Sequence, residues 1–270
     1  MRPVRKSRYH PAVWEIETGM RTGKNKAGLQ MIIILALVFA ACMSTGALAK
    51  KIENVHPYWY AARMTRTVKA GKVTIPAGKT VTVANRGGSV STIRYKEKRY
   101  KVPTSSFELT GLVTRGAKRY SKATAEAFVN GRGYSSGTGY LIWVSTFTQH
   151  LYVFTGKARH WTMVKHTGCA TGRFEKETPL GVSRITHKLP WLWFNQDVGQ
   201  GGYYGLRIRG GFIHSWLFNI AWSQAHGGRK LMWNKEHYGK PVTSGCVRVR
   251  LDMAKWLYNK IPLNTIAVVY

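Results

Sequence analysis

The stretch GKPVTSGCVRV, residues 239–249, contains Cys246, one of three cysteines in a chain of 270 residues. A thiol between a glycine and a valine–arginine pair is unusual for a residue that only packs. Its neighbours leave three roles open: a buried filler, one half of a disulfide with Cys169, or a nucleophile. Features elsewhere in the sequence favour one of these roles.

A nucleophilic cysteine needs a base, hydrogen-bond donors for an oxyanion and open access for the substrate. Gly245 gives access because it has no side chain, and the backbone N–H groups of Gly245 and Cys246 are candidate oxyanion donors. Arg248 can fix the loop or bind a carboxylate through its planar guanidinium. These features favour a free thiol at Cys246 over a disulfide.

The base has to be a histidine from another part of the chain. Three of the nine histidines lie in the stretch that leads to the cysteine: His214, His226 and His237. His214 ends the apolar run GGFIHS, His226 lies in the polar stretch QAHGGRK, and His237 lies in a charged loop. The residue pattern alone leaves the choice open.

The sequence from residue 140 to 270 predicts a mainly β domain with one clear helix. Apolar runs rich in β-branched and aromatic residues alternate with turn residues. The helix is expected over 252–260, capped by Asp252 and followed by Pro262. Strands are expected at residues 140–147, 149–156, 160–168, 179–186, 203–215 and 265–270.

Two further segments precede this domain. Residues 50–112 alternate short Val, Thr, Ile and Tyr runs with turn clusters, which predicts a small β module that resembles bacterial SH3-like modules. Residues 113–139 are polar and rich in Gly and Ser, which predicts a linker with one helical turn.

The N-terminal extension, residues 1–49, is typical of an export signal. Basic residues precede the apolar run 29–43, and Ala47-Leu48-Ala49 matches a signal-peptidase site. Met20 is an alternative start. The run is also long enough to begin a membrane anchor, and Cys42 offers a weak lipid-anchor alternative. We therefore expect an exported protein that reaches the membrane only through an uncleaved signal or a lipid anchor.

The charge predicts an anionic partner. The chain carries 42 basic and 11 acidic residues, a net charge of +31, and loss of residues 1–49 would leave about +26. Because nucleic-acid-binding motifs are missing from the sequence, we expect no nucleic-acid partner and favour anionic cell-wall polymers. No cluster has metal-ligand spacing, so no metal or cofactor is expected, and the few acidic residues argue against a carboxylate-pair hydrolase.

FIHS followed by GKPVTSGCVRV resembles the L,D-transpeptidases of the YkuD-domain family. The stretches YLIWVSTFTQHLYVFTGKARHW, TGCATGRFEKETPLGVSRI and DMAKWLYNKIPLNTIAVVY are similar to the family's opening hairpin, Thr-Pro-x-Gly stretch and closing helix and strand. The likeness covers residues 140–270. It implies a β-sandwich catalytic domain with one or two short helices.

The resemblance also implies roles for single residues. Cys246 would be the nucleophile, His214 the general base, and the carbonyl of Ser215 the group that orients the imidazole. Thr243, Gly245 and Arg248 match the motif, whereas Ser244 stands where many members have histidine.

The spacing between the two implied catalytic residues departs from the pattern. The 32 positions from His214 to Cys246 exceed the spacing in shorter relatives, which suggests an inserted lid or substrate wall and keeps His226 as an alternative base.

The implied reaction is acyl transfer between peptidoglycan stem peptides through a cysteine thioester, at the cell wall or the outer face of the membrane. Two alternatives remain open from the sequence. One is a non-catalytic cationic wall-binding protein. The other is an L,D-carboxypeptidase or cysteine peptidase on the same scaffold, which passes the acyl group to water.

Overall fold

A computed structural model describes residues 55–116, 118–197, 199–223 and 228–270. The expected export signal, with Met20 and Cys42, lies outside these described residues. Within them, no helix is long and apolar enough to cross a bilayer.

Short strands build the N-terminal module, and alternating apolar positions bury one face of its main sheet. The strands are β1 (Trp59–Met64), β2 (Val68–Ala70), β3 (Val73–Ile75), β4 (Thr80–Asn85), β5 (Val90–Tyr95), β6 (Lys98–Pro103) and β7 (Phe107–Val113). Five of them form an antiparallel sheet in the order β6-β5-β4-β1-β7, and β2 pairs with β3. The module's core consists of Ala62, Met64, Ile75, Val81, Val83, Ile93, Val102 and Phe107. The expected small β module is confirmed.

The segment expected to be a linker contains a ten-residue helix, α1 (Lys122–Gly131), in place of one helical turn. Ser121 caps it, because the Ser121 hydroxyl accepts a hydrogen bond of 3.2 Å from the Thr124 N–H. The ring of Phe128 is fully buried, with its centroid 4.4 Å from that of Trp143 in the next domain. The segment therefore packs as part of the second domain's core.

Two sheets form the second domain. Its elements are β8 (Tyr140–Ser145), β9 (His150–Lys157), β10 (His160–Gly168), β11 (Gly181–Arg184), β12 (Lys188–Asn195), β13 (Gln200–Ile208), β14 (Gly211–Ser215), β15 (Phe218–Ser223), β16 (Gly228–Trp233), β17 (Val247–Val249), α2 (Leu251–Lys260) and β18 (Ile266–Val269). One sheet has the order β10-β9-β8-β18-β11. The other has the order β16-β15-β13-β14-β17, with β12 paired to β13.

The main hydrophobic core lies between these sheets and α2. It combines residues of the first sheet with residues of the second and of the helix: Ile142, Val144, Leu151, Val153, Leu206, Ile208, Ile213, Val247, Val249, Met253 and Leu257. In the residues that the structure describes, the mainly β fold class, with two α-helices and a preceding β module, is confirmed.

Two local expectations are corrected. The run 203–215 is a hairpin, because Gly210 adopts a positive φ of 74° and turns β13 into β14. The residue that caps α2 is Arg250, without a side-chain hydrogen bond to the helix, whereas Asp252 lies in the first turn and accepts from Arg250 Nε at 3.3 Å.

Candidate active site

A buried threonine holds the loop that carries Cys246. The Thr243 hydroxyl donates to the Cys246 carbonyl oxygen at 2.6 Å and accepts from the Gly245 N–H at 3.2 Å. The Thr243 backbone donates to the Thr171 carbonyl and accepts from the Arg173 N–H, both at 2.9 Å. The Thr243 hydroxyl therefore holds the loop from within, and the backbone of residues 171–173 holds it from one side.

The glycine before the cysteine, Gly245, is required by its backbone conformation. Gly245 has a φ of 114°, which L side chains rarely adopt, while a Cβ there would meet nothing nearer than 3.6 Å. We expected Gly245 to provide steric access, and the structure gives its conformational freedom as the stronger reason. Its N–H is already bonded to Thr243, so of the two expected oxyanion donors only the Cys246 N–H avoids this contact.

His214 lies on β14, and Cys246 immediately precedes the neighbouring strand β17. Strands β14 and β17 are parallel, with Ile213 opposite Val247 and His214 opposite Arg248. Because side chains alternate along a strand and Ile213 and Val247 point into the core, His214 and Arg248 lie on the other face. The Cys246 Sγ lies beside the start of β14, where a Cβ at Gly211 would come within 3.3 Å of it.

The imidazole of His214 fits between an aromatic ring and a glycine. Its centroid lies 4.8 Å from that of Phe194, and a Cβ at Gly202 would come within 2.8 Å of its Nδ1. Only glycine at position 202 leaves room for this ring. His214 is 1% exposed, and neither ring nitrogen has a hydrogen-bond partner among the described residues, so no hydrogen bond joins it to the Cys246 thiol.

Burial keeps both groups neutral. Burial, assisted by the Arg248 charge, lowers the pKa of His214 to about 3, and the Ser215 backbone opposes this shift. Burial also raises the pKa of the Cys246 thiol, although the Phe212 backbone and the charges of Arg248 and Arg207 act against it. The thiol is thus not pre-ionised, contrary to what a histidine partner leads one to expect.

The implied supporting residues have definite contacts. The Ser215 hydroxyl accepts from the Tyr203 N–H and donates to the Trp216 carbonyl, both at 2.8 Å, so its side chain holds the end of β14. Its carbonyl makes no well-formed hydrogen bond to the imidazole. Exposed Ser244 accepts from Arg173 Nη1 at 3.1 Å, which occupies the side chain that stands where relatives have histidine.

Two arginines, Arg248 and Arg207, act on the Cys246 thiol through their positive charge. The Arg248 guanidinium lies over the Trp216 ring at 5.2 Å, and its buried Nε has no hydrogen-bond partner among the described residues. Burial lowers the pKa of Arg248. The ion pairs found in the described ranges involve none of Arg173, Arg207 and Arg248, which leaves these charges for an anionic ligand.

The two other candidate bases are His226 and His237. His226 is outside the described residues, as is part of the stretch that is expected to form a lid. His237 is exposed, with its ring 6.2 Å from that of Trp216. The extra length between His214 and Cys246 forms the paired strands β15 and β16.

Both described cysteines are free thiols. Cys169 is fully buried, and burial raises its pKa far above the ordinary range. Cys169 therefore has the character of a packing residue, whereas Cys246 is only partly buried.

Some contact residues were missed by sequence reasoning. Phe194 ends the aromatic run WLWF, and Gly202 belongs to the glycine-rich stretch GQGGYYG, so both had a local signal. Tyr58 had none: its hydroxyl bonds to the Thr171 hydroxyl, 113 positions away, and Thr171 in turn accepts from Thr243. This buried contact ties the start of the N-terminal module to the cysteine loop.

Comparison with protein-family models finds a match in the second domain. Residues 139–269 match the YkuD family, described as the L,D-transpeptidase catalytic domain. No curated protein sequence matches the chain.

Several solved structures resemble the fold at low identity. A fused Zn-dependent amidase/peptidase/peptidoglycan-binding domain-containing protein from Clostridium acetobutylicum is 25% identical, with a TM-score of 0.44 over 55% of this chain and 59% of that one. An L,D-transpeptidase from Mycobacterium smegmatis is 14% identical, with a TM-score of 0.35 over 77% and 82%. The ertapenem-acylated catalytic domain of the E. faecium L,D-transpeptidase is 20% identical, with a TM-score of 0.35 over 51% and 100%. This chain thus spans about three fifths of the Clostridium protein.

Proposed function

Residues 139–269 belong to the YkuD family of L,D-transpeptidase catalytic domains, and on this premise we propose that the protein cross-links peptidoglycan stem peptides through a thioester on Cys246. His214 is the general base of the proposed reaction. Thr243, Gly245, Ser215 and Arg248 position the pair and its substrate.

The observation that carries the proposal is the pairing of β14 with β17. It brings Cys246, at the start of β17, beside the strand that carries His214, while Thr243 restrains the cysteine loop. A nucleophile and a base on such elements have the fixed geometry that covalent catalysis needs.

The proposed chemistry starts from the neutral pair. The Cys246 S–H proton passes to His214 as sulfur bonds to the carbonyl carbon of the third stem residue. The Cys246 N–H is the assigned donor to the resulting oxyanion. The C–N bond then breaks, and D-alanine leaves with the proton from His214. An amine of a second stem attacks the thioester, and its proton returns through His214 to the thiol.

The charges near the thiol suit this substrate. Stem peptides carry carboxylates, and Arg173, Arg207 and Arg248 provide planar donors that can pair with them. Charge also supports the proposed location, because export through residues 1–49 would bring a chain of about +26 to anionic wall polymers.

The test is incubation of the purified chain with a disaccharide-tetrapeptide, followed by mass spectrometry of the products. We expect a cross-linked dimer together with free D-alanine, no product with Cys246→Ser, and retained product with the matched control Cys169→Ser. A tripeptide product without a cross-linked dimer would indicate that the protein is a carboxypeptidase and not a transpeptidase. If neither product forms, the proposal is contradicted and a wall-binding protein is favoured.

A further inference from the structure

A cavity lies apart from the candidate active site. It has a volume of about 1060 Å³ and is lined by the N-terminal module together with the end of α1 and the last residue of the sequence. None of its lining residues belongs to the thiol site. Those that matter most are His56, Trp59, Arg94, Arg99, Arg132 and Tyr270.

Aromatic rings hold two of its arginines in place. The Arg94 guanidinium lies 5.1 Å from the Trp59 ring centroid, and that of Arg132 lies 5.1 Å from the Tyr270 ring. Arg132 Nη2 also donates to the Tyr270 hydroxyl at 3.2 Å. A guanidinium stacked by its face keeps N–H groups at its edge for an acceptor in its plane, so these side chains are prepared to bind an oxyanion.

The positive charge of the cavity is only partly compensated. Arg94 pairs with Glu97 at 2.9 Å, but Glu97 is 93% exposed and such a pair is weak. Arg99 and Arg132 take part in none of the ion pairs found in the described part of the chain. The pKa of His56 is lowered by burial and by the charges of Arg99 and Arg94, which favours its neutral form, so the uncompensated charge of the cavity comes from its arginines.

The size and polarity of the cavity point to more than a single ion. Its volume matches the upper range of small-molecule sites, roughly 1000 Å³. Asn85 and Thr92 on the wall supply neutral hydrogen-bonding groups beside the arginines.

We propose that this cavity binds a segment of a polyhydroxylated chain that carries oxyanions, either the phosphates of a polyol phosphate or the carboxylates of an acidic glycan. Arg94, Arg99 and Arg132 bind the oxyanions, and Asn85 and Thr92 bind hydroxyl groups. The site is independent of Cys246 chemistry, and it turns a general charge attraction into attachment at one place.

The test compares two triple variants of the full chain that lose the same charge. Arg94→Gln/Arg99→Gln/Arg132→Gln changes the cavity, and Lys69→Gln/Lys72→Gln/Lys79→Gln changes exposed lysines of the same module that do not line it. Calorimetry measures the binding of poly(glycerol phosphate), polygalacturonate and neutral dextran at 0.15 M salt, where the Debye length is about 8 Å.

The cavity variant is expected to weaken binding of one anionic polymer by about tenfold or more, whereas the lysine variant stays within about twofold of the parent. The polymer that binds tighter identifies phosphate or carboxylate as the ligand. Equal losses in both variants, unchanged binding in the cavity variant, or equal binding of dextran would overturn the proposal. Melting curves of all three proteins check that each is folded.

Discussion

At the residue scale, His214 predicts a specific acid sensitivity. The fold lowers its pKa to about 3, so the unfolded chain takes up a proton below about pH 6.5 that the folded chain does not. The contribution of His214 to the free energy of unfolding is fully present above pH 6.5. It falls by about 1.4 kcal/mol per pH unit as the pH drops from 6.5 toward 3. His214→Gln should remove this part of the slope in urea unfolding between pH 6 and 4.

The matched control is His160→Gln, which changes an exposed histidine. Other histidines with lowered pKa, such as His150, remain in both proteins, so the difference in slope isolates His214. An unchanged slope in His214→Gln would show that the ring is not held neutral by burial.

A second residue-scale prediction concerns the Thr243 hydroxyl. Thr243→Val keeps the volume but leaves the Gly245 N–H and the Cys246 carbonyl without this partner, at a cost of about 1–3 kcal/mol in stability. Misplacement of the thiol should also slow acylation of Cys246 by about 10²-fold.

Thr243→Ser retains the hydroxyl and should restore the acylation rate. Thr265→Val removes another buried hydroxyl, one that bonds to Thr138, and should lower stability without slowing acylation. Parental acylation in Thr243→Val would exclude a positioning role for Thr243.

The sequence predicts the candidate site residues only where a short sequence pattern marks them. The Gly-Cys pair and the histidine at a strand end are short patterns, so Cys246 and His214 could be singled out. The raised pKa of Cys246 depends on burial, and the room for the His214 ring depends on Gly202 from another strand. Such effects arise from tertiary packing and have no pattern of their own.

At the element scale, strands were easier to predict than the first helix. Apolar alternation and turn residues indicated most strands of the second domain. The helix α1 was missed because Gly and Ser on both sides dominate its segment, although Ala125, Phe128 and Val129 have the helical spacing of i, i+3 and i+4. Only contact with the next domain's core makes this short apolar face stable.

The packing of α1 is testable by truncation. Phe128→Ala should lower the free energy of unfolding by about 3–5 kcal/mol, because it empties a fully buried site beside Trp143 and Tyr270. Lys122→Gln, at an exposed position of the same helix, should change it by less than about 0.5 kcal/mol. Urea denaturation measures both, and a small effect of Phe128→Ala would return the segment to the status of a linker.

At the scale of the whole molecule, the N-terminal extension predicts processing. If Ala47-Leu48-Ala49 is cleaved, the mature protein begins at Lys50 in the envelope fraction. N-terminal sequencing of that fraction checks this directly. Retention of the apolar run 29–43 would instead indicate an anchored enzyme.

The account's central claim is that Cys246 is a nucleophile, and carbapenem acylation tests it most directly. The folded, non-reduced chain is exposed to ertapenem, and intact-mass and peptide analysis locate the adduct. The account predicts one adduct on Cys246, its loss in Cys246→Ser and its persistence in Cys169→Ser, since Cys169 is fully buried. A chain that remains unmodified, or an adduct that persists in Cys246→Ser, would contradict it.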